Sequence, residues 1–238
     1  MGDTITDAAI PDAPPLTPAP PKAPGARRPI KARDSAWAAR VAAWLEARGV
    51  TPNAISLFSI ACGGVAGAAL LATNFVPSPI GRAVLFVAAI GGIQSRLLCN
   101  LFDGMVAVEG GRAGKAGEVF NDFPDRIADP LILIGAGFAA GGPWGVSLGW
   151  CAALLAVLTA YVRVLGRSLG TPTYFLGPMA KQHRMAVLSV ACVFATFLSF
   201  WNLHRPAILI ALIVINVGCV LTVARRTHRI ITDLEHRP

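Results

Sequence analysis

One stretch of the chain decides the fold: residues 96–129 read RLLCNLFDGMVAVEGGRAGKAGEVFNDFPDRIAD. The stretch joins the end of one apolar segment to the start of the next, and it gathers acidic, basic and amide side chains where the two segments meet. Ionisable groups within membrane segments are costly, so they mark candidate functional sites. The stretch is such a candidate if the apolar segments on either side cross a membrane.

The apolar residues of the chain are gathered into blocks. Hydrophobic residues make up 54% of the sequence and charged residues only 14%, well below the roughly 25% charged residues of soluble domains. Each block has about 20 residues, the length of helix that crosses ~30 Å of hydrocarbon. We predict an all-α integral membrane protein with a bundle of six transmembrane helices. The six predicted spans are roughly 52–73, 82–106, 118–140, 144–169, 184–201 and 206–227.

Two regions precede the first span. Residues 1–33 are rich in Pro and Ala and are predicted to be disordered, because they cannot bury enough apolar surface to offset their ordering entropy. In residues 34–48, apolar side chains including Trp37 and Trp44 recur at helical spacing on one stripe, with arginines beside it. The segment is interpreted as an amphipathic interfacial helix whose arginines reach lipid head groups. A helix packed on the bundle is the equal alternative.

The remaining boundaries follow from the end of the apolar pattern. We assign residues 49–229 to the six-helix membrane domain and residues 230–238 to a C-terminal tail. Pro52 suits the first turn of the first span, with Thr51 as its N-cap. In the same span, the spacing of Gly63 and Gly67 favours close contact with another helix.

The basic residues indicate how the bundle is oriented. The net charge is +8, from 21 Lys and Arg against 13 Asp and Glu, and the basic residues lie mostly between the apolar segments. No basic stripe interleaved with aromatic residues is present, so the expected partner is the lipid bilayer and not nucleic acid. Most basic loop residues lie on the side that six spans give to both termini, while the opposite loops hold only Arg82 and Arg205. The positive-inside rule then predicts a multi-pass protein of the cell membrane with both termini in the cytoplasm.

Oxygen-bearing side chains face each other across the second and third predicted spans. At ~100° per residue, one arc of the third span carries five of them. These are Glu118, Asn121, Asp122, Asp125 and Asp129. On the second span, Asn100 and Asp103 share a face, and Arg96 lies one turn earlier on it. Two such surfaces can hold hard divalent cations such as Mg²⁺ or Mn²⁺.

The alternative is a network of internal ion pairs. It would join Arg96 to Asp103, and Arg126 to Asp122 or Asp129. We favour the metal site because so many oxygen atoms fall in one arc.

The spacing of these residues resembles the signature of the CDP-alcohol phosphotransferase family, also called the CDP-alcohol phosphatidyltransferase family. The family pattern is D-x2-D-G-x2-A-R-x8-G-x3-D-x3-D. This chain reads Asp103-Gly104-x2-Ala107-x9-Gly117-x3-Asn121-x3-Asp125. Every interval is kept. Asn100 and Asn121 stand at the first and third Asp of the pattern, and Val108 stands at its Arg.

The resemblance extends beyond the signature. Residues 49–56 resemble the entry to the family's first span, and residues 125–129 resemble the continuation of its third helix. Residues 161–163 and 177–184 resemble its fourth-to-fifth helix region. The similarity therefore covers about residues 48–228 and agrees with six spans.

The resemblance implies a mechanism. Family members use two divalent metal ions, bound by the signature carboxylates, to hold the diphosphate of a CDP-alcohol, commonly CDP-diacylglycerol. An acceptor hydroxyl attacks the β-phosphorus and CMP leaves. The four Asp positions of the signature are occupied here by Asn100, Asp103, Asn121 and Asp125, so the resemblance implies these residues as metal ligands. It also implies Asp125 as the general base. Homodimerisation is implied in the same way.

The resemblance also implies where CDP binds. The matching positions are Asp103, Gly104, Ala107 and Gly117, and Arg112 is a candidate to replace the Arg missing at Val108. Each Asn in the signature removes one negative charge, so metal affinity is expected to fall unless other groups compensate.

Other residues are candidates for filling these gaps. Glu118 and Asp122 are further metal candidates, with a solvated position at the membrane interface as the alternative. Lys181, Arg184 and Arg126 are candidates for binding the phosphate or polar head group of the acceptor. For Lys181 and Arg184, ordinary positive-inside anchoring is the alternative.

Three functions fit this sequence. The favoured one is transfer of a phosphatidyl group from a CDP-alcohol to an acceptor alcohol in phospholipid biosynthesis. The second is a catalytically silent member of the family that binds lipid or nucleotide, which the two Asn substitutions support. The third is a transporter, which the lack of an internal repeat argues against. Glycerol phosphate, inositol phosphate, serine and another lipid all remain open as acceptor.

Overall fold

The computed structural model describes residues 35–109 and 117–236, and these residues form helices and short connections without a strand. Residues 1–33, the predicted disordered tail, lie outside the described residues, as does most of the connection between the second and third spans. A 3₁₀ helix at Ser199–Trp201 joins the last two α-helices. The α-helices are α1 Ala36–Ala47, α2 Pro52–Ala72, α3 Pro79–Glu109, α4 Gly117–Ala140, α5 Gly142–Ser168, α6 Lys181–Leu198 and α7 His204–Glu235.

The helices confirm the predicted class. Among the described residues, five helices are long and apolar enough to cross a membrane, namely α2, α3, α5, α6 and α7. Helix α4, the remaining predicted span, has 24 residues but carries charged residues from Glu118 to Asp129, and it is not among these five. The chain is thus an all-helical, multi-pass membrane protein.

The six longest helices form a closed ring. Helix α2 packs against α3 and α4, α4 against α5, α5 against α7, α7 against α6, and α6 against α3. Buried alanines line much of the interior, together with larger residues such as Phe86, Ile132 and Leu212. Small side chains allow the backbones to approach closely, which is how membrane helices associate without a hydrophobic driving force between them.

Within the described part of the chain, the backbones of α2 and α4 approach each other closely. A Cβ atom added at Gly63 would lie 2.8 Å from the Cβ of Ala128, and one added at Gly67 would lie 2.4 Å from the carbonyl oxygen of Leu131. From the other side, a Cβ added at Gly135 would lie 2.3 Å from the carbonyl oxygen of Gly67. The prediction of close helix contact at Gly63 and Gly67 is confirmed. This contact fixes α4, which carries most of the acidic residues of the site, against the start of the bundle.

Helix α1 packs on the bundle. Ala38 and Ala42 are fully buried, and the Trp37 ring meets Phe102 of α3 edge to face, with 5.9 Å between ring centroids. The exposed part of the same helix includes Trp44, over which the Arg48 guanidinium stacks at 4.3 Å. The helix therefore has one face on the bundle and an exposed aromatic surface, and its interfacial position stays a prediction.

The ends of the helices refine the predicted boundaries. The hydroxyl of Thr51 accepts a hydrogen bond from the amide of Ala54 at 3.2 Å, and Pro52 opens the helix, so the predicted cap of α2 is confirmed. Helix α7 does not end at 227 or 229 but continues to Glu235. The predicted tail thus begins inside a helix, and Ile230 is buried there against Gly166.

The substitution Gly67→Ala should destabilise the bundle, because its methyl group has no space beside the Leu131 carbonyl. We expect a loss of about 1–3 kcal/mol in the free energy of unfolding, typical of overpacking, measured by denaturant titration in detergent. Gly64→Ala is the matched control on the same helix, since a Cβ there meets nothing within 4 Å. Equal stability of the two variants would contradict the close crossing.

Candidate active site

The signature residues meet at one end of the bundle. Helix α3 ends there and α4 begins there, so the last turns of one face the first turns of the other. The start of α6 brings a lysine and an arginine to the same place. Residues four apart lie on one face of a helix, and this period puts Arg96 and Asn100 of α3 together, as it does Asp125 and Asp129 of α4.

Asp125 is held between two cations from different helices. Its Oδ1 accepts a hydrogen bond from Arg96 Nη2 at 2.8 Å, and its Oδ2 pairs with Lys181 Nζ. The side chain of Asp125 is 6% exposed and that of Arg96 is fully buried, whereas that of Lys181 is 28% exposed. The same Lys181 ammonium donates to Asn100 Oδ1 at 2.8 Å. The first and fourth signature positions are therefore bridged by one ammonium group.

Asp129 forms the deeper half of the same network. Its Oδ1 lies 2.5 Å from Arg96 Nη2, and its Oδ2 accepts a hydrogen bond from Arg184 Nη2 at 3.0 Å. Arg184 also donates to the Thr159 hydroxyl and to the Met179 carbonyl, at 3.2 Å each. Arg184 is thus buried in the bundle, where it ties α6 to α4 and α5. This differs from the expected position at the cytoplasmic surface, and the long side chain reaching inward to Asp129 is the reason.

Asp103 is bound differently from the other acids. Its Oδ2 accepts a hydrogen bond from the Ser56 hydroxyl of α2 at 2.7 Å. Its Oδ1 is buried and has no hydrogen-bond partner among the described residues. A buried carboxylate oxygen without a partner carries a desolvation penalty. The free oxygen therefore favours a bound cation at this position.

Asp122 lies at the rim of the cluster. Its two oxygens each accept a hydrogen bond at 2.7 Å, one from Arg126 Nη2 one turn on and the other from Arg163 Nη2 of α5. All three side chains are between 22% and 35% exposed. Asp122 is thus the partner of two arginines. Its role as a metal ligand stays a prediction.

The predicted metal site and the predicted ion-pair network thus occupy the same residues. Arg126 pairs with Asp122 as the network alternative expected. Arg96, however, pairs with Asp125 and Asp129 and not with Asp103, so that part of the alternative is wrong. The reason is that Arg96 lies two turns before Asp103 on α3 and points toward the deeper part of α4.

Several predicted residues have no described side chain. Asn121, Glu118 and Gly117 belong to α4, but the structure describes only their backbone, and Arg112 lies outside the described residues. Gly104 and Ala107 are half-buried on α3, on the same last turns as Asp103. Their roles in metal and CDP binding stay predictions.

Three contributors were not assigned to the site from the sequence. Ser56 ends the stretch that resembles the entry to the family's first span, Arg163 belongs to the stretch that resembles its fourth-to-fifth helix region, and Thr159 is an ordinary residue within α5. A hydroxyl in an apolar helix carries no distinctive pattern, because it can bond to its own backbone. Ser56 Oγ indeed also lies 3.1 Å from the Pro52 carbonyl oxygen, so its single hydroxyl hydrogen is shared between that backbone oxygen and Asp103.

The described donors fit a divalent ion at Asp103. Carboxylate oxygens suit hard cations such as Mg²⁺, which usually take one or two carboxylates together with substrate phosphates and water. Asp103 Oδ1 meets this need, while both oxygens of Asp125 already face cations. Within residues 35–109 and 117–236, no group of three or more His, Cys, Asp or Glu side chains is arranged to hold a metal ion by itself.

Comparisons with known sequences agree with the signature. No protein-family model matches the chain. The phosphatidylinositol phosphate synthase of Streptomyces avermitilis is 31% identical over 193 residues, which cover 78% of this chain and 74% of that enzyme. The phosphatidylinositol phosphate synthase of Mycobacteroides abscessus is 26% identical over 190 residues, which cover 78% and 79%.

Solved structures show the same fold. The phosphatidylinositol phosphate synthase of Mycobacterium tuberculosis in complex with manganese and citrate superposes with a TM-score of 0.66 at 18% identity, covering 82% of this chain and 89% of that one. The same enzyme with CDP-DAG bound gives a TM-score of 0.64 at 20% identity, covering 82% and 94%. The extent of the match to the Streptomyces enzyme, together with this fold, shows that the chain belongs to the CDP-alcohol phosphatidyltransferase family.

The buried ion pairs of Arg96 should be required for stability, whereas the half-exposed pair of Arg163 and Asp122 should not. The substitution Arg96→Met removes the cation shared by Asp125 and Asp129, and we expect it to cost about 3 kcal/mol of unfolding free energy. That value is at the low end for a broken buried pair, because each acid keeps one other cation. Arg163→Met at the half-exposed rim should cost less than about 1 kcal/mol.

Unfolding curves of the two variants in one detergent provide the measurement. A loss for Arg163→Met as large as that for Arg96→Met would contradict the ranking by burial.

Proposed function

We propose that this protein transfers a phosphatidyl group from a CDP-alcohol such as CDP-diacylglycerol to an acceptor alcohol and releases CMP, as a step of phospholipid biosynthesis. The observation that carries the proposal is that both signature carboxylates, Asp103 of α3 and Asp125 of α4, are buried at the end of the bundle where Arg96 and Lys181 bind Asp125. Family membership and the CDP-DAG-bound structure of the Mycobacterium tuberculosis enzyme support the same substrate.

Asp125 is the residue we assign as general base. The oxygen of the acceptor hydroxyl forms a bond to the β-phosphorus, the bond from that phosphorus to the CMP oxygen breaks, and the hydroxyl proton passes to Asp125. A carboxylate offers about four lone-pair sites on its two oxygens. Arg96 and Lys181 occupy one site on each oxygen, which leaves a site for the acceptor hydroxyl.

The cations of the cluster have a role beyond packing. Lys181 is the most exposed member of the Asp125 network, and an ammonium group has three donors. Two of them serve Asn100 and Asp125, so the third is available to a phosphate oxygen. Arg96 is fully buried and positions Asp125 through its hydrogen bond to Oδ1.

A divalent cation, Mg²⁺ or Mn²⁺, belongs to this proposal. Asp103 would hold it, with Asn121 as a further oxygen donor by its signature position and with the substrate diphosphate supplying the remaining oxygens. When bound, such an ion neutralises charge on the diphosphate and on the leaving CMP. The Mycobacterium tuberculosis enzyme has been solved with manganese, which supports this cofactor class.

The cytidine end of the substrate is assigned to the last turns of α3. Gly104 and Ala107 are small and half-buried there, and small residues let a flat ligand approach the backbone closely. Gly117 and Arg112 stay candidates by signature position and by charge.

We extend the proposal to a phosphorylated acceptor such as inositol phosphate. The two relatives are named phosphatidylinositol phosphate synthases. In this chain, Arg126 and Arg163 converge on Asp122 from two helices and remain half-exposed. Guanidinium groups bind phosphate in a bidentate manner, so an acceptor phosphate can exchange for Asp122 at this rim. Arg184 is buried and binds Asp129, so we do not assign it this role.

The position in the membrane completes the proposal. The chain is assigned to the cell membrane with both termini in the cytoplasm, because the basic loops lie on the side where α3 ends and α6 begins. The site then opens to the cytoplasm, where nucleotide-linked substrates are made. A homodimer is proposed from family membership alone.

The transferase activity can be measured directly. Purified protein with Mn²⁺ or Mg²⁺ should release CMP from CDP-diacylglycerol only when an acceptor is present, and inositol phosphate should outperform inositol, serine and glycerol phosphate. Asp125→Asn should lower the rate by at least about 10²-fold, because the proton acceptor is lost. Asp233→Asn is the matched control, since Asp233 pairs with Arg229 on α7 and takes part in none of the contacts described for the cluster.

Two other outcomes would change the role assigned to Asp125 or the function assigned to the protein. CMP release that is unaffected by Asp125→Asn would remove Asp125 from the mechanism. The absence of release with every acceptor, together with binding of CDP-diacylglycerol, would favour the catalytically silent lipid-binding function.

A further inference from the structure

The geometry points to Lys181 as a resident cation that takes the place of one of the two divalent ions implied by the family signature. The chain would then use a single divalent ion, held at Asp103. This inference rests on the proposed function, because it takes a CDP-alcohol as the diphosphate ligand. It departs from the signature in the number of metal ions and assigns that difference to one side chain of this chain.

The position of the ammonium group is the first argument. Lys181 Nζ pairs with Asp125 and donates to Asn100 at 2.8 Å. These two residues stand at the fourth and first signature positions, which the family resemblance assigns to metal binding. A carboxylate at position 100 and another at 125 would suit a divalent ion between them. An amide and a carboxylate, with half the negative charge, suit a monovalent ammonium.

The amide itself is oriented for this contact. Asn100 Nδ2 donates to the Arg96 carbonyl at 2.9 Å, one turn earlier on α3. This bond turns Oδ1 toward Lys181, where it accepts a hydrogen bond. An ammonium group is a donor only, so the amide oxygen meets it without a charge of its own.

The balance of charge is the second argument. The described cluster of Asp103, Asp125, Asp129, Arg96, Lys181 and Arg184 contains three acidic and three basic side chains, so its formal charge is zero. Each of the two phosphates of a CDP-alcohol adds about one negative charge. One divalent ion balances this diphosphate, whereas two would leave an excess of two positive charges in a largely buried site. Uncompensated buried charge is strongly unfavourable.

The free oxygen is the third argument. Of the carboxylates at signature positions, Asp125 has both oxygens facing cations, while Asp103 Oδ1 has no hydrogen-bond partner within the described part of the chain. Ser56 holds Asp103 through the other oxygen at 2.7 Å, so the free one is fixed in place. Among these carboxylate oxygens, Asp103 Oδ1 is therefore the one to which we assign the metal ion.

The test counts bound metal ions and does not depend on turnover. Purified protein is saturated with CDP-diacylglycerol without acceptor, and Mn²⁺ is titrated while the EPR signal of free Mn²⁺ is recorded. We expect one Mn²⁺ per chain. Two ions per chain, or none, would overturn the inference.

Two variants assign the effect to Lys181. Asn100→Asp restores the carboxylate but keeps the ammonium, and it should still bind one Mn²⁺. The double variant Asn100→Asp with Lys181→Met should bind two, because the position between residues 100 and 125 is then both acidic and vacant. A second ion in the single variant, or only one in a folded double variant, would overturn the inference. If the double variant does not fold, as judged by thermal unfolding, the single variant decides.

CMP release measured on the same preparations separates this inference from the proposed function. One Mn²⁺ per chain without CMP release would support the single-ion site and contradict the transferase. Two Mn²⁺ per chain with CMP release would contradict the single-ion site and support the transferase.

Discussion

The rest of this site depends on how the charge of one carboxylate, Asp125, is compensated inside a membrane bundle. Arg96 and Lys181 reach it from two other helices, and Arg96 continues to Asp129, which Arg184 holds in turn. An unpaired charge at this depth would be costly. The network therefore fixes α3, α4 and α6 relative to one another at the end where the reactive groups must meet. Stability and the geometry of the site follow from the same contacts.

The sequence predicted the helices and their reactive faces for simple physical reasons. Blocks of about 20 apolar residues match the thickness of the bilayer, and the helical period puts Asp125 and Asp129 on one face whatever the surrounding structure. Gly67 indicated a close crossing because only a small residue lets two backbones meet. The end of α7 was misplaced because hydropathy falls after residue 227, although the helix continues and buries Ile230 against α5.

The partners within the site could not be predicted in the same way. Helical periodicity gives the face of a residue but not the rotation or offset of one helix against the next. The sequence therefore offered Asp103 as the partner of Arg96, whereas the offset of α3 and α4 gives it Asp125 and Asp129. Lys181 and Arg184 looked like surface residues because they open α6, and their long side chains reach inward. The two asparagines of the signature gain a physical meaning only once Lys181 is seen beside Asn100.

The most direct test of this account is the position of the metal relative to Lys181. Crystals grown with CDP-diacylglycerol and Mn²⁺ give that position from the anomalous scattering of manganese. We expect one peak beside Asp103, with the Lys181 ammonium still between Asn100 and Asp125. Two manganese peaks, or a peak in the place of the ammonium with Lys181 turned away, would contradict it.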